Sequence, residues 1–378
     1  MRLVHVTEDF IHSGGGLPVV AASHLYWQSH LGWNVSLLQT ATSDLLDSDK
    51  AHLVCCPPSR LGKSWRWSPA LSVCVKNLIS AGTDLFHLHG IWTAPQAVAS
   101  KLSYQSAIPS VISFHGQLLG GAVGYGINQQ ALKKRLYLNL VGRKVVQRAK
   151  VLHAITKCEA ESLRAMFPHS PIEVIPNFVD TQLIDGQINS VDIETAKHSK
   201  EILYLGRLDV RKGVVQLLHA FAQAKLPAEW TLCIAGPDDT PGLREELKKL
   251  AYAYQMDKRI RVHEPVFGKE KWELLCNASF VCSPSFHEVI GMVNLEAALC
   301  SKVVLTTPYT GLEGWEEAGG VFVEPSIEEI STALLEIASW SDSELVDRGA
   351  SLKAWVSNYY SLDRVRTQWL ELYGEAMG

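Results

Sequence analysis

Four charged residues in the second half of the sequence have types and spacings suited to binding a phosphorylated ligand. Arg207 and Lys212 lie in GRLDVRKG, between a predicted strand and a predicted helix. Glu288 and Glu296 follow the predicted buried strand SFVCSPS, in HEVIGMVNLEAALC. Cations at the C-terminal end of a strand suit a phosphate-rich ligand, which Arg207 would hold with its planar guanidinium and Lys212 with a point charge. The alternative interpretation is that Arg207 and Lys212 are solvated loop cations without a ligand.

The segment between the two glutamates predicts a second set of ligand groups. A helix that begins near Ile290 or Gly291 directs free backbone N–H groups and its positive dipole end toward an anion. Gly291 also lets a ligand approach the backbone closely. Glu288 precedes this helix start and Glu296 lies inside the helix. A nucleotide-sugar offers groups in the matching order: sugar hydroxyls, diphosphate and ribose hydroxyls.

Strands that alternate with helices must place these groups. Short apolar segments such as DLFHLHG, PSVISFHG, EILYLGRL and WTLCIAG recur between helical stretches in both halves of the chain. This alternation predicts parallel sheets with crossover helices. A polar stretch from about residue 179 to 200 separates the halves. We therefore predict two Rossmann-like α/β domains that face each other across a cleft, outside the C-terminal ends of their strands.

The predicted domains are an N-terminal Rossmann-like domain (1–180), a C-terminal Rossmann-like domain that would bind the nucleotide-sugar (181–360) and a final helix (361–378). The final segment is amphipathic and is predicted to pack back across the domain boundary. Its apolar stripe consists of Leu362, Val365, Trp369, Leu370 and Tyr373.

Composition excludes several classes of protein. The 378 residues are 47% hydrophobic and 20% charged, which indicates a globular chain with ample core. No apolar run is long enough to span a bilayer, and MRLVHVTEDF lacks the features of a secretory signal. The eight cysteines are scattered, as is typical of a reducing compartment, and no Cys or His spacing indicates zinc. We expect a cytoplasmic protein without a bound metal.

Charge is distributed unevenly along the chain. Residues 1–180 carry 16 Lys and Arg against 10 Asp and Glu, whereas the remainder carries 19 against 29. Residues 131–150, ALKKRLYLNLVGRKVVQRAK, contain seven basic residues in a helix-like pattern. Such a helix either lies on an anionic membrane surface or is a solvated face. An acidic chain without a binding motif argues against nucleic acid.

Two short motifs admit more than one interpretation. The glycine run that contains Gly15 and Gly16 predicts either a plain strand–helix turn or a loop whose backbone approaches a phosphate. Asp47-Ser48-Asp49 matches a D-x-D metal signature, but its polar surroundings favour a surface loop without a metal.

The histidines of the N-terminal half form a third ambiguous group. His87 and His89 are two residues apart and share one face of a strand. Together with His115, at the end of a neighbouring strand, they form a metal trio, a polar lining of the cleft, or core histidines satisfied by hydrogen bonds. His115 precedes a glycine-rich loop and is the strongest functional candidate of the three.

Taken together, these motifs resemble a known family. PSFHEVIGMVNLEAALCSKVVL and GRLDVRKG resemble the E-x7-E and GR…KG signatures of the retaining glycosyltransferases of family 4, which have the GT-B fold. VIPNFVD resembles the inter-domain VIPNGVD of that family, and DLFHLHGIW, ISFHGQLL, HEPVFGKEKWELLCNASFVCSPS and WLELY are similar to other family segments. The resemblance covers nearly the whole chain.

The resemblance implies a role for each matching residue of the diphosphate and sugar site. Arg207 and Lys212 would hold the donor diphosphate and stabilise the leaving group, in place of the metal that other glycosyltransferases use. Glu288 would bind hydroxyls of the donor sugar, and the backbone amides of Ile290 and Gly291 would lie nearby.

The remaining implied contacts surround that site. Glu296 would bind the ribose, and the backbone of Pro265 and Val266 would contact the base. Gly15-Gly16 would form a loop near the phosphate, and His115 would lie beside the reacting sugar.

The implied reaction is a front-face displacement that moves a hexose from a nucleotide-diphosphate sugar to a glycan or lipid-linked acceptor, with retained anomeric configuration. The resemblance places it in bacterial polysaccharide biosynthesis (exopolysaccharide, O-antigen or capsule), at the inner face of the membrane. Two alternatives remain: an epimerase or hydrolase on the same fold, and a non-catalytic nucleotide-sugar-binding subunit. The sequence departs from the family pattern at Phe178, Val289, Ile290 and Ser301-Lys302, which bears on the identity of the donor sugar.

Overall fold

The computed structural model describes residues 1–11, 16–41, 51–60, 62–119, 129–191 and 200–378, the side chains of residues 129–131 excepted. The chain divides into two compact units. The first comprises Met1–Asn177 together with Val365–Gly378, and the second comprises Phe178–Arg364. The final residues of the chain therefore belong to the N-terminal unit. Gly15 and the D-x-D motif at residues 47–49 lie outside the described residues.

The N-terminal unit is built on a parallel sheet. Its described strands are β1 (Arg2–Val6), β2 (Asn34–Gln39), β3 (His52–Cys55), β4 (Leu85–His89), β5 (Ser110–Ser113), β6 (Val151–Ala154) and β7 (Ile172–Val174). Their order in the sheet is β3-β2-β1-β4-β5-β6-β7. The strand order reverses between β1 and β4, and β4 and β5 are buried along their whole length, as expected where helices cover both faces of a sheet.

Helices connect these strands and cover the sheet. They are α1 (Gly16–His30), α2 (Leu71–Ser80), α3 (Ala94–Gln105), α4 (Gln129–Tyr137), α5 (Arg143–Arg148) and α6 (Lys157–Met166). A π-helical turn, Leu138–Gly142, joins α4 to α5, so the basic segment 131–150 is not one regular helix. Leu138 and Gly142 are the buried residues of this turn, so the turn contacts the core of the unit.

The second unit repeats the same architecture. Its strands are β8 (Glu201–Leu205), β9 (Thr231–Ala235), β10 (Ile260–Val262), β11 (Phe280–Cys282), β12 (Val303–Thr306) and β13 (Val321–Phe322). They are all parallel, in the order β10-β9-β8-β11-β12-β13. The order reverses between β8 and β11, so the loops that follow these two strands flank the topological switch point. Ligands of open α/β sheets bind at that point.

Seven described helices belong wholly to this unit. They are α7 (Thr181–Asn189), α8 (Val214–Gln223), α9 (Leu243–Ala253), α10 (Gly268–Asn277), α11 (Met292–Leu299), α12 (Ile327–Ser339) and α13 (Asp342–Tyr360). The apolar faces of α8, α9 and α12 form one core with the sheet, which includes the buried side chains of Phe221, Trp230 and Phe280. This packing fixes the strand ends that carry the predicted ligand groups.

The last helix, α14 (Leu362–Met377), returns to the N-terminal unit. The indole ring of Trp369 packs edge-on against the imidazole of His24, with ring centroids 4.5 Å apart, and lies 4.4 Å from that of His153. Tyr373 is also buried. Leu370 does not belong to this stripe: its side chain is exposed, and Leu372 and Ala376 are buried instead. The prediction for Leu370 was wrong because the buried stripe runs from Val365 to Trp369, four residues on, and then to Leu372, Tyr373 and Ala376, which lie three, four and seven residues after Trp369.

Two short elements were missed by the sequence prediction. Strand β3 lies in a stretch predicted as a polar loop, and it is a half-exposed edge strand with little apolar pattern. Helix α7 lies in the segment predicted as a polar crossing. The side chain of Asp180 caps α7 by accepting a hydrogen bond from the backbone N–H of Leu183 (3.1 Å), and the helix packs against α10 and α11. None of the side chains of α7 is buried, so the helix lacks the apolar face that would have marked it in the sequence.

Candidate functional site

The loops that follow β8 and β11 are held together by the backbone. The N–H of Phe286 donates a hydrogen bond to the carbonyl oxygen of Arg211 (2.9 Å). Gly213 has a φ of +70°, and a Cβ atom at this residue would lie 2.0 Å from the carbonyl oxygen of Pro284. Only glycine allows this approach. The GRLDVRKG loop and the start of the E-x7-E segment therefore form one structural unit.

We expect Gly213→Ala to lower the free energy of unfolding by more than about 2 kcal/mol, because the substitution adds left-handed strain to a backbone clash. Urea titration measures this change. Gly186→Ala is a matched control in α7, where an added Cβ meets nothing within 4 Å. The control should be neutral or stabilising by about 1 kcal/mol, since alanine favours a helix. Equal effects of the two substitutions would contradict the close approach.

Lys212 and Glu288 form an ion pair across these loops. The Nζ atom of Lys212 donates to Oε2 of Glu288, and the two side chains are 20% and 21% exposed. The other carboxylate oxygen of Glu288 accepts from the backbone N–H of Val289 (3.3 Å). The structure thus brings together two residues that are 76 positions apart in the sequence. A cation and a carboxylate here can each exchange their partner for a ligand group.

Arg207 lies at the end of β8, paired with an acidic residue that sequence analysis missed. Its Nη1 atom is 2.5 Å from Oδ2 of Asp239, which follows β9. The hydroxyl of Tyr204 donates to the backbone carbonyl of Arg207 (2.8 Å), and burial holds the pKa of Tyr204 far above its usual value. The guanidinium is one-third exposed, so a ligand can reach it. The acidic pair in GPDD, after the neighbouring strand, was the available signal for Asp239.

Arg211 has a structural contact in the same loop. Its guanidinium pairs with Asp209, whose side chain also accepts the backbone N–H of Arg211 (2.8 Å) and caps the 3-10 turn Val210–Lys212. Hydrogen bonds from Arg211 lower the pKa of Asp209 to about 2. This turn orients Lys212, the next residue, toward Glu288.

Helix α11 begins one residue after the predicted start. Gly291, with a φ of +72°, is its N-cap, and Met292 is its first residue. The side chain of Ile290 is buried, and its carbonyl oxygen accepts from the amide of Asn294 (3.0 Å). Ile290 therefore contributes backbone rather than side chain to the surface beside Glu288.

Glu296 and the base-contact candidates surround this helix. Glu296 is buried, and its Oε1 atom is 2.6 Å from Nζ of Lys271 on α10. Sequence analysis missed Lys271, because nothing local marks it as the partner of a residue on another helix. Pro265 and Val266 lie in the loop between β10 and α10, with Val266 buried and Pro265 half-buried.

His115 lies at the end of β5 in the N-terminal unit, in a constrained turn. It has a φ of +52°, which is rare for a residue other than glycine, and Gly116 follows with +77°. The buried carboxylate of Glu159 accepts the backbone N–H groups of Gly116 (2.5 Å) and Ile155 (2.7 Å). Burial raises the pKa of Glu159 and lowers that of His115 to about 3. Gly16 is the exposed first residue of α1.

Two family models match the chain. "Glycosyltransferase Family 4" matches residues 14–183 and "Glycosyl transferases group 1" matches residues 187–347. Together they cover most of both units, with the second spanning the Arg207, Lys212, Glu288 and Glu296 segments. The chain belongs to the family 4, group 1 glycosyltransferases. It is therefore an enzyme of the glycosyltransferase class.

Relatives and solved structures agree with this assignment. The glycosyltransferase is 25% identical to an uncharacterized glycosyltransferase of Methanocaldococcus jannaschii, over 78% of this chain and 76% of that one. It is 26% identical to an alpha-maltose-1-phosphate synthase of Mycobacterium tuberculosis, over 68% of each chain.

The fold matches that of two solved structures over nearly their full lengths. Sucrose-phosphate synthase from Thermosynechococcus elongatus superimposes with a TM-score of 0.78 at 18% identity, over 99% of this chain and 98% of that one. Anabaena HepE in complex with UDP-glucose gives a TM-score of 0.78 at 17% identity, over 99% of each chain. The predicted GT-B fold class is confirmed.

The predicted metal trio was His87, His89 and His115, but the structure brings a different set of three histidines together. Instead, ring nitrogens of His5, His87 and His89 lie within 4.8 Å of one another, all buried. Both ring nitrogens of each of these three histidines have a hydrogen-bond partner. Of the three interpretations, core histidines satisfied by hydrogen bonds is the one that agrees with these contacts.

Proposed function

We propose that this glycosyltransferase moves a hexose from a nucleotide-diphosphate sugar to a glycan or lipid-linked acceptor, with retained anomeric configuration, in bacterial polysaccharide biosynthesis. The observation that carries the proposal is the Lys212–Glu288 pair at the switch point of the second sheet, with Arg207 on the adjoining strand end. Fold relatives crystallised with UDP-glucose and with UDP-2-fluoro glucose support a nucleotide-sugar donor.

Each group has a chemical task in this proposal. Arg207 and Lys212 hold the diphosphate and stabilise the charge that develops on the leaving phosphate. Glu288 accepts hydrogen bonds from sugar hydroxyls once Lys212 turns to the phosphate, and the amides at Ile290 and Gly291 add donors. Because the two cations neutralise the leaving group, the reaction needs no bound metal. Catalysis comes mainly from positioning and electrostatics.

The outer part of the donor has its own contacts. Glu296 binds the ribose hydroxyls beside Lys271, and the backbone of Pro265 and Val266 contacts the base. In the N-terminal unit, Gly16 is assigned to the phosphate contact, and Gly15 lies outside the described residues. His115 lies beside the reacting sugar in this assignment.

One observation disfavours the epimerase or hydrolase alternative. Such enzymes need an acid–base group near the sugar carbons, and His115 was the single candidate from the sequence. Burial lowers the pKa of His115 to about 3, so at neutral pH its ring is neutral and has no imidazolium proton to give as a general acid. A reaction in which the leaving phosphate oxygen takes the acceptor proton does not require such an acid.

A thermal-shift screen against UDP-, GDP- and ADP-sugars tests the donor site. At a concentration 100 times the Kd, a bound donor should stabilise the protein by about 2.7 kcal/mol. We expect one nucleotide class to raise the Tm, and Lys212→Ala to abolish that rise while Lys248→Ala, on the exposed face of α9, retains it. Incubation with and without acceptor then separates transfer from hydrolysis. Failure of all three classes to shift the Tm would contradict the proposal.

We further propose that the basic segment 131–150 contacts an anionic membrane surface. Its leucines Leu132, Leu136 and Leu140, spaced four apart, are 69%, 58% and 59% exposed. Exposed basic side chains flank them: Lys133, Lys134, Arg135, Arg143 and Lys144. Exposed leucines with adjacent cations match a helix that lies in the lipid headgroup region. No described helix is long and apolar enough to cross a bilayer.

Vesicle flotation tests this surface. We expect binding to vesicles that contain phosphatidylglycerol, weaker binding in high salt, and at least about tenfold weaker binding when the three leucines are replaced by serine. Leu335→Ser, on an exposed face of α12, is the matched control and should bind like the wild type. Equal binding to neutral and anionic vesicles would contradict the proposal.

A further inference from the structure

A continuous chain of buried hydrogen bonds crosses the core of the N-terminal unit and ends at His115. It joins strands β1, β4, β5 and β6 to helices α1 and α14. We call the group the histidine relay. Its members are His5, Gln28, His87, His89, Ser113, His115, His153 and Tyr373. Every member except His115 is at most 1% exposed.

At one end of the relay the donor and the acceptor of each hydrogen bond can be assigned. The Nε2 atom of His153 is 2.7 Å from the backbone carbonyl oxygen of Ile175, which can only accept a hydrogen bond, so Nε2 carries the proton. Burial lowers the pKa of His153 to about 4, so the ring is neutral and its Nδ1 is an acceptor. The hydroxyl of Ser113 therefore donates to Nδ1 of His153 (2.7 Å) and accepts from Nε2 of His87 (2.7 Å).

The same assignment of donors and acceptors continues through Tyr373 of α14. His87, also neutral because burial lowers its pKa, must accept at Nδ1, and the hydroxyl of Tyr373 donates there (2.9 Å). The oxygen of Tyr373 in turn accepts from the amide nitrogen of Gln28 (3.1 Å). The amide orientation of Gln28 is thereby set, and its Oε1 atom accepts from Nε2 of His5 (2.7 Å).

The last two bonds determine the state of His115. Burial lowers the pKa of His5 to about 4 and that of His89 well below its usual value, so both rings are neutral. Nδ1 of His5 accepts from Nε2 of His89 (2.9 Å), and Nδ1 of His89 accepts from Nε2 of His115 (2.9 Å). His115 therefore carries its proton on Nε2, and its Nδ1 keeps a lone pair.

We propose that Tyr373 and Gln28 are positioning residues that hold His115 in its Nε2–H tautomer, so that Nδ1 presents a hydrogen-bond acceptor to a hydroxyl of the bound sugar. The sugar contact rests on the proposed function, whereas the tautomer follows from the hydrogen bonds alone. Glu159 supports the same arrangement by fixing the strained backbone at residues 115 and 116.

A metal ion at His5, His87 and His89 would be incompatible with the relay. Each of the six ring nitrogens already has a partner, and a bound ion would take lone pairs that now accept from His89, Tyr373 and His115. The relay therefore predicts that added Zn²⁺ leaves the signals of His5, His87 and His89 in the folded protein unchanged. A stoichiometric change in the signals of His5, His87 and His89 would overturn it.

NMR of protein labelled with ¹⁵N-histidine tests the tautomer without any substrate. Long-range proton–nitrogen correlations at pH 7, assigned to His115 by comparison with His115→Gln, should show an unprotonated Nδ1 and a protonated Nε2. A protonated Nδ1 in the wild-type protein would overturn the proposal. This measurement needs no variant of the relay to fold.

Two relay variants then test the positioning role. Tyr373→Phe lets the amide of Gln28 turn over, and Gln28→Met removes both its donor and its acceptor, so we expect mixed tautomers at His115 in each. The kcat/KM for transfer should fall about tenfold, the effect of one neutral hydrogen bond. Tyr254→Phe is the control, since that hydroxyl hydrogen-bonds to Nδ1 of His219 (2.8 Å) in the second unit, outside the relay.

The two readouts separate this inference from the proposed function. The predicted tautomer without transfer from any nucleotide-sugar would contradict the function and leave the relay intact. Transfer together with a protonated Nδ1 would contradict the relay alone. Relay variants that keep the His115 tautomer and wild-type kcat/KM would show that Tyr373 and Gln28 have a purely structural role.

Discussion

Lys212→Ala and Glu288→Ala are each expected to lower kcat/KM for sugar transfer by at least about 100-fold, or about 2.7 kcal/mol of transition-state stabilisation. Under the proposed function, Lys212 supplies charge where the leaving diphosphate develops it, and Glu288 holds the sugar hydroxyls. Both side chains are only about one-fifth exposed, so water replaces them poorly. Initial rates with the donor identified by thermal shift measure the effect.

The control for this prediction is another Lys–Glu pair of the same unit. Lys248 and Glu245 form an exposed pair on α9 (2.8 Å), and alanine at either residue should leave the rate within a factor of about three. The double variant of Lys212 and Glu288 tests whether the two residues contact the donor separately. Additive losses indicate separate contacts with the donor, whereas a double variant no worse than either single one indicates that the pair acts only through its own ion pair. Single variants with rates within threefold of the wild type would contradict the site.

Acidification is expected to destabilise the N-terminal unit between about pH 6.5 and pH 4. Burial lowers the pKa of His5 and His153 to about 4 and that of His115 to about 3. In the unfolded chain these histidines bind protons near pH 6.5. In the folded protein they bind protons only when the pH falls to their lowered pKa values. Each such histidine therefore removes about 1.4 kcal/mol of stability per pH unit below about 6.5.

Three further buried histidines also lower the stability of the folded protein as the pH falls, and two carboxyl groups partly offset this loss. Burial also lowers the pKa values of His24, His87 and His89. It raises those of Glu8 and Glu159, whose folded forms bind protons first and partly offset the loss. The net expectation at pH 5 is an uptake of about three to five protons on unfolding.

Potentiometric titration during urea unfolding measures this uptake directly. His153→Gln should reduce the uptake at pH 5 by about one proton, because it removes one buried histidine. His169→Gln, at an exposed position on the surface of the same unit, is the control and should leave the uptake unchanged. An uptake of less than one proton by the wild-type chain would contradict the neutral buried cluster.

Local pattern predicted the parts of the molecule that depend on neighbouring residues in the sequence. Strands β8 and β11 could be predicted because both are short, continuous apolar runs followed by polar loops. The start of α11 was predicted to within two residues because Gly291 marks it. The alternation of strands and helices also predicted that Arg207, Lys212 and Glu288 lie at one edge of a sheet.

Partners that come from distant residues could not be predicted in the same way. Asp239, Lys271 and Glu159 each meet a predicted site residue or its turn through tertiary packing. Gln28 and Tyr373 are 345 residues apart, and no periodicity connects them. Helix α7 was missed because none of its side chains is buried and no strong apolar pattern marks it.

The return of α14 to the N-terminal unit has a consequence for folding in the cell. The whole of Phe178–Arg364 is synthesised after the first sheet and before Val365–Gly378. Until then, the rings of His24 and His153 lack Trp369, against which they pack in the native state. We therefore expect the nascent first unit to leave the Trp369-binding surface of His24 and His153 uncovered, and to complete its core only after the last helix has been translated.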